Sequence, residues 1–284
     1  MNSPASGSGL EAAYHLLHPK ICRWIRDQGW DELREIQART ILAVLENERD
    51  ILISATTAAG KTEAAFLPIL TSIAERSASG FSVLYISPLK ALINDQFRRL
   101  EGLCESMEIP VVKWHGDAPQ AEKKKAMNKP DGIALITPES IEAMFVRRPA
   151  DAKRLLSAAE FIVIDELHSF LQGPRGLHVA SLLRRIDAMA ARPARRVGLS
   201  ATIGNLGQAR AWLRPRDPTN VEEPRGEVGR SGTAPSGQRL RRAAGSRRSG
   251  SCGRRRSGSG AAGAAPDRPR RDFRSSVRDA AGRE

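Results

Sequence analysis

The segment Ala55–Thr62, ATTAAGKT, sets a glycine, a lysine and a hydroxyl side by side where an apolar run ends and a helical pattern begins. Those residue types suit a triphosphate. Backbone N–H groups of a small-residue loop can converge on phosphate oxygens, and a helix N-terminus adds positive potential. Lys61 can reach the β- and γ-phosphates, and the Thr62 hydroxyl can ligate Mg²⁺. Ala58, Ala59, Gly60 and Glu63 complete the candidate cradle. The G-x-x-x-x-G-K-[ST] pattern is missed only at its first position, where Ala55 stands. A chance GKT at a strand-to-helix turn is the rival reading, and it weakens once a second motif is found downstream.

That second motif is Asp165-Glu166, which closes the apolar run FIVID at 161–165. At a strand end, Asp165 can hold Mg²⁺ through its water shell while Glu166 orients and deprotonates an attacking water. Positioning and charge stabilisation supply most of phosphoryl-transfer catalysis, so this pair is the expected minimum. The rival is a solvated acidic turn. A third segment, Leu199–Thr202 (LSAT), puts two hydroxyls at the end of another apolar run. By itself it is a weak signal, more often an ordinary capping turn before a helix.

The elements that must carry these residues follow from periodicity. Apolar positions at helical spacing run from Leu10 to about Asn47. Six short runs rich in Ile, Val and Leu come next, at 50–55, 81–87, 110–114, 132–137, 161–165 and 196–200, each followed by a helical stretch. Strands alternating with helices predict an open, doubly wound α/β domain with a parallel sheet covered on both faces. Such sheets bind ligands at the carboxyl ends of their strands, where every motif above begins.

The net charge of +13 invites a polyanionic partner, but it is uneven. Residues 1–220 hold 29 Lys and Arg against 25 acids, whereas residues 221–284 hold 16 Arg against 7 acids. The basic excess therefore says little about the folded part. Cys22, Cys104 and Cys252 form no CxxC pair, so neither a zinc site nor a disulfide framework is expected. No leader-like charge-then-apolar pattern opens the chain, and no apolar run is long enough to span a membrane. A cytoplasmic location is expected.

Taken in order, GKT, DELH (165–168) and SAT (200–202) resemble motifs I, II and III of the superfamily 2 DExH-box (DEAD/DEAH box) helicases. YISPLKAL (85–92) resembles motif Ia and ITPES (136–140) motif Ib. These segments, with WHGD (114–117) and DELHSFL (165–171), are most similar to the Lhr-like group. The resemblance covers roughly residues 15–215 and implies a RecA-like P-loop NTPase domain using ATP and Mg²⁺. It implies phosphate and metal roles for Lys61 and Thr62, and metal and water roles for Asp165 and Glu166. His168, Ser200 and Thr202 would couple nucleotide state to nucleic-acid grip. Pro88, Lys90, Thr137 and Pro138 would lie along the phosphate backbone of a single strand of DNA or RNA. A plain surface lysine remains the alternative for Lys90, and a plain helix start for Thr137-Pro138. Gln37, 24 residues before Lys61, resembles the family's adenine-reading glutamine, with a polar position on an amphipathic helix as its rival. No protein partner is inferable.

Three segments are expected: 1–9, disordered; 10–215, the ATP-binding domain; and 216–284, a disordered Arg/Gly/Ser-rich tail. Arg, Gly, Ser, Ala and Pro supply 49 of the last 64 residues, too few large apolar groups to offset ordering entropy. The family's second RecA-like domain, with its arginine-bearing motif, finds no counterpart after Thr202. An out-of-frame tail from a GC-rich gene is one reading and a genuine nucleic-acid-binding tail the other. The expected function is an ATP-dependent helicase or translocase domain with weak hydrolysis and no unwinding of its own. The alternative is a non-catalytic ATP- and nucleic-acid-binding fragment whose affinity comes mainly from the basic tail.

Overall fold

A computed structural model describes residues 7–56, 59–76, 79–201, 203–214 and 227–229. Three helices lead in: α1 (Gly7–His15), α2 (Pro19–Asp27) and α3 (Glu35–Leu45). The strands then alternate with helices. β1 (Ile51–Ser54) precedes α4 (Lys61–Ile73), β2 (Val83–Ile86) precedes α5 (Lys90–Met107), and β3 (Val111–Trp114) precedes α6 (Gln120–Asn128). β4 (Ile133–Ile136) leads to α7 (Pro138–Arg147) and α8 (Pro149–Leu156). β5 (Phe161–Ile164) leads through a 3-10 turn (Leu167–Phe170) to α9 (Gly173–Met189), and β6 (Arg195–Ser200) to α10 (Leu206–Leu213). A three-residue strand, β7 (Glu227–Gly229), completes the described elements.

The strand order is β3-β4-β2-β5-β6-β1-β7, and every pairing is parallel. This is the doubly wound sheet that the alternation predicts. The strands β2, β4 and β5 are apolar throughout because both sheet faces are buried there. The alternation of side chains then sorts one run into two cores. Ile51, Ile53, Val83, Tyr85, Ile133, Leu135, Phe161 and Val163 join α1 to α5 on one face. Leu52, Leu84, Ile86, Ala134, Ile136, Ile162 and Ile164 join residues of α7 to α10 on the other. Arg196 is buried beside the second core and is neutralised by Asp187 of α9, 2.5 Å away.

Two expected boundaries need correction. The N-terminal helix begins at Gly7, not Leu10; Ala13 docks it into the first core, with Leu10 and Tyr14 packed alongside, and the preceding turn follows. Within the tail expected to be disordered, Glu227–Gly229 pairs with β1, with Leu52 opposite Glu227 and Ser54 opposite Gly229. The outer edge of β1 carries backbone donors and acceptors that need partners, a demand independent of side-chain pattern. The rest of the tail lies outside the described residues.

Candidate active site

The phosphate-loop candidates sit at the carboxyl end of β1. The Ala55 N–H donates to the Ser200 carbonyl at 3.2 Å, so the loop starts from the strand pair β1–β6. Gly60 adopts the left-handed region at φ 78° and caps α4, a conformation that costs residues with a Cβ about 1–2 kcal/mol. A Cβ there would stand 3.2 Å from the Gln37 amide nitrogen. Gln37, nearly fully buried, is thus packed on the loop from α3, with its Oε1 accepting from the Arg34 N–H at 2.9 Å. Lys61 Nζ donates to the Ala55 and Thr56 carbonyls at 2.9 and 3.0 Å. Thr62 is buried in the first turn of α4. Glu63 accepts from Arg99 of α5 at 2.7 Å, a contact that ties α4 to α5. Ala59 closes the turn onto the Thr56 carbonyl, while Ala58 lies outside the described residues.

β5 ends at Ile164 two strands away, on the same rim because all strands run parallel. Asp165 is buried, and burial raises its carboxyl above the usual range; Tyr85 pulls it back down, and Glu166 adds to the rise. Burial also lowers the Lys61 ammonium, with Glu166 and then Asp165 acting in the opposite sense. Lysine and both carboxylates therefore act on one another across a single site. Glu166 takes the left-handed conformation at φ 46°, strained for a residue with a Cβ and typical of functional turns. His168 Nδ1 lies 3.1 Å from Ser200 Oγ and 3.3 Å from Glu166 Oε2, which links the ends of β5 and β6. Thr202 lies outside the described residues.

The remaining candidates line the neighbouring strand ends β2, β4 and β3. Lys90 opens α5 and pairs with Asp117 at 2.8 Å, which through that hydrogen bond holds the Asp117 carboxyl below its usual value. The Pro88 carbonyl accepts from Arg175 of α9 at 2.6 Å, and Arg175 also reaches Glu139 at 2.9 Å. Thr137 is buried; its hydroxyl caps α7, accepting from the Ser140 N–H, and Pro138 fills the first helical position. The sequence reading gave no role to Arg99, Arg175, His115 or the Tyr85 hydroxyl. Arg99 and Arg175 carry no local signal because their partners are 36 and 87 residues away. His115 is buried with neither ring nitrogen hydrogen-bonded.

No described group of three or more His, Cys, Asp and Glu residues could hold a metal by itself. Thr62 with Asp165 is instead an oxygen donor set of the kind that suits a largely hydrated Mg²⁺ delivered with phosphates.

The sequence profile of the DEAD/DEAH box helicases matches residues 34–209, more than half the chain. The chain belongs to the DEAD/DEAH box helicase family. This helicase domain is 31% identical over 216 residues to the ATP-dependent helicase Lhr-Core of Methanothermobacter thermautotrophicus, covering 70% of this chain and 24% of that protein. Similarity to the Lhr helicase/uracil glycosylase of Escherichia coli is 32% over 210 residues, 66% of this chain and 13% of that one. Among solved structures, Mycobacterium smegmatis helicase Lhr bound to ssDNA and AMP-PNP superposes with a TM-score of 0.63 at 29% identity, covering 72% of this chain and 27% of that one. The DUF1998 helicase MrfA bound to DNA gives 0.61 at 28%, covering 70% and 28%. The chain thus spans about a quarter or less of the length of these relatives. Its parallel sheet is the RecA-like helicase fold, and ATP use is the property of its family. Among the described residues no helix is long and apolar enough to cross a membrane.

Proposed function

We propose that this domain binds and hydrolyses ATP with Mg²⁺ and couples that cycle to a grip on single-stranded nucleic acid. The observation that carries the reading is that Lys61 follows β1 while Asp165 and Glu166 follow β5 at one rim of the parallel sheet, within electrostatic reach of one another. Lys61 would leave the Ala55 and Thr56 carbonyls to hold the β- and γ-phosphates. The Thr62 hydroxyl and the Asp165 carboxylate would face the metal, which neutralises charge on the phosphate oxygens. Glu166, fixed by its turn, would orient the attacking water and accept its proton. Gln37 would present the remaining capacity of its amide to the adenine edge, with Ala58, Ala59, Gly60 and Glu63 shaping the cradle.

His168 and Ser200 would pass the state of this site to β6, with Thr202 beyond. Pro88, Lys90, Thr137 and Pro138 would follow a strand's backbone. Because the Thr137 hydroxyl and Pro88 carbonyl are already engaged, Lys90 is the principal cation of that set, and its affinity would be sequence-independent and salt-sensitive. The nucleic-acid partner is also supported by the ssDNA held by Mycobacterium smegmatis Lhr. The 16 arginines among residues 221–284 favour a second reading, in which the tail supplies most of the affinity.

The test is Lys61→Ala in the full chain, assayed for nucleotide binding and nucleic-acid-stimulated ATPase. Both should be abolished. Stimulated hydrolysis that survives the substitution would remove the first reading, whereas nucleic-acid binding without any stimulated hydrolysis in the parent chain would favour the second.

A further inference from the structure

Among the described residues Tyr85 is the largest side chain that is fully buried, and it carries a hydroxyl next to a charged group of the site. Its position follows from register. β2 and β5 pair with Tyr85 opposite Val163 and Ile86 opposite Ile164, and the ladder continues as Asp165 N–H donates to the Ile86 carbonyl at 2.9 Å. Ser87 therefore stands beside Asp165, and its own N–H donates to the Ile136 carbonyl of β4. Side chains two apart on a strand share a face. Tyr85, Ser87, Val163 and Asp165 accordingly share the face covered by α4, whose N-terminus carries Lys61.

Both hydroxyls on that face are orphans. Tyr85 Oη and Ser87 Oγ are fully buried and complete no hydrogen bond among the described residues. Leaving a polar group buried and unsatisfied is unfavourable, and such groups in folded proteins call for an explanation. Packing does not supply one. The ring lies 5.9 Å from that of Phe66 in an apolar layer, where phenylalanine would fill the same space without a stranded hydroxyl. Function does. Asp165 is the charged group that acts most strongly on the phenol, ahead of Glu166, and the phenol in turn favours the ionised carboxylate, although no hydrogen bond of full geometry joins them in this arrangement.

We propose that Tyr85 is a positioning residue for Asp165: its phenol donates to the core-side carboxylate oxygen and thereby aims the other oxygen at the hydrated Mg²⁺ of the nucleotide complex, with the Ser87 hydroxyl as a second donor beside it. The inference rests on the nucleotide reading above and adds a residue to it. A hydroxyl donor to an ionised carboxylate makes a short, strong hydrogen bond, and such supporting contacts orient metal-facing groups.

The experiment is a titration of the full chain with a fluorescent ATP analogue at a series of Mg²⁺ concentrations and in EDTA, for the parent, Tyr85→Phe and Ser87→Ala. Melting midpoints are recorded in EDTA. In Tyr85→Phe the Mg²⁺ concentration for half-maximal nucleotide binding should rise about tenfold, the low end for such supporting contacts. Affinity in EDTA should stay unchanged, and the melting midpoint should hold or rise because an unsatisfied polar group has been removed. Ser87→Ala should shift the Mg²⁺ midpoint in the same direction by less, and it carries the test if Tyr85→Phe folds poorly. An unchanged Mg²⁺ midpoint in these variants overturns the inference. So does an equal loss of affinity with and without Mg²⁺, which would be a packing effect. If the parent itself binds the analogue without Mg²⁺ dependence, or if Lys61→Ala leaves binding intact, the nucleotide reading fails and this inference with it.

Discussion

Glu166 and Asp165 are adjacent in sequence but do opposite things in space. Asp165 continues the β5 ladder and faces the core, whereas Glu166 turns into the left-handed region and heads a 3-10 turn. Under the proposed function, that divergence would separate metal holding from water activation. Replacing Glu166 with Gln keeps the shape but removes the proposed base, so hydrolysis should fall about 10²–10⁴-fold with nucleotide affinity retained. Comparing single-turnover hydrolysis with equilibrium binding checks this; an equal loss of both would assign Glu166 to binding. Cys104 shows a different residue-scale effect. It is fully buried in α5, and desolvation pushes its thiol up to about 12. A raised folded value favours the protonated fold. This contribution to stability is complete below the ordinary thiol value of 9.0 and is lost as pH rises from there toward about 12. Native protein at pH 8 should leave Cys104 unlabelled by iodoacetamide, and alkaline melts of Cys104→Ala should lose the extra pH-dependent decline.

At the scale of elements, the site depends on how closely two backbones approach. A Cβ on Gly176 of α9 would lie 2.0 Å from the Phe170 carbonyl oxygen, so only glycine lets α9 pack on the turn that carries His168. Backbone cannot retreat as a flexible side chain can. Gly176→Ala should destabilise by about 1–3 kcal/mol, the range for overpacking, despite alanine's better helix propensity. Urea unfolding measures it, and a stabilised variant would show that the turn is not held against α9. The same element scale explains why the caps look the way they do. Thr137-Pro138 starts α7 by the ordinary chemistry of helix starts, and the structure shows that chemistry in use. Under the proposed function its role along a nucleic-acid strand would be one of shape, with the charge supplied by Lys90.

For the whole molecule, the question is where the proposed nucleic-acid affinity would reside. The described domain presents Lys90 at the strand-end rim, already paired with Asp117, while the densest positive charge lies in residues 221–284. Exposed pairs of this kind exchange partners at little cost. Lys90→Ala in the full chain should weaken single-strand binding uniformly across sequences and lower the slope of log affinity against log salt by about one. Filter binding over a salt series reads both. A slope unaffected by the substitution would move the contact off the rim and toward the tail.

The sequence alone determined the nature of the domain, because its signals are local. A short run rich in Ile, Val and Leu is what a strand buried on both faces must be, and the loop ATTAAGKT and the pair DE each end such a run. The carboxyl-edge rule then placed Lys61, Asp165 and Glu166 on one rim before any strand was paired. The tertiary structure decided what depends on order and face. Which strands are neighbours is set by packing between segments a hundred residues apart, and an all-apolar run does not reveal which of its residues faces which helix layer. Gln37 resting on Gly60, Arg99 on Glu63, Lys90 on Asp117 and the Tyr85 hydroxyl beneath Asp165 are contacts of that kind. They arise from long-range burial and charge, for which the chain carries no periodicity to read.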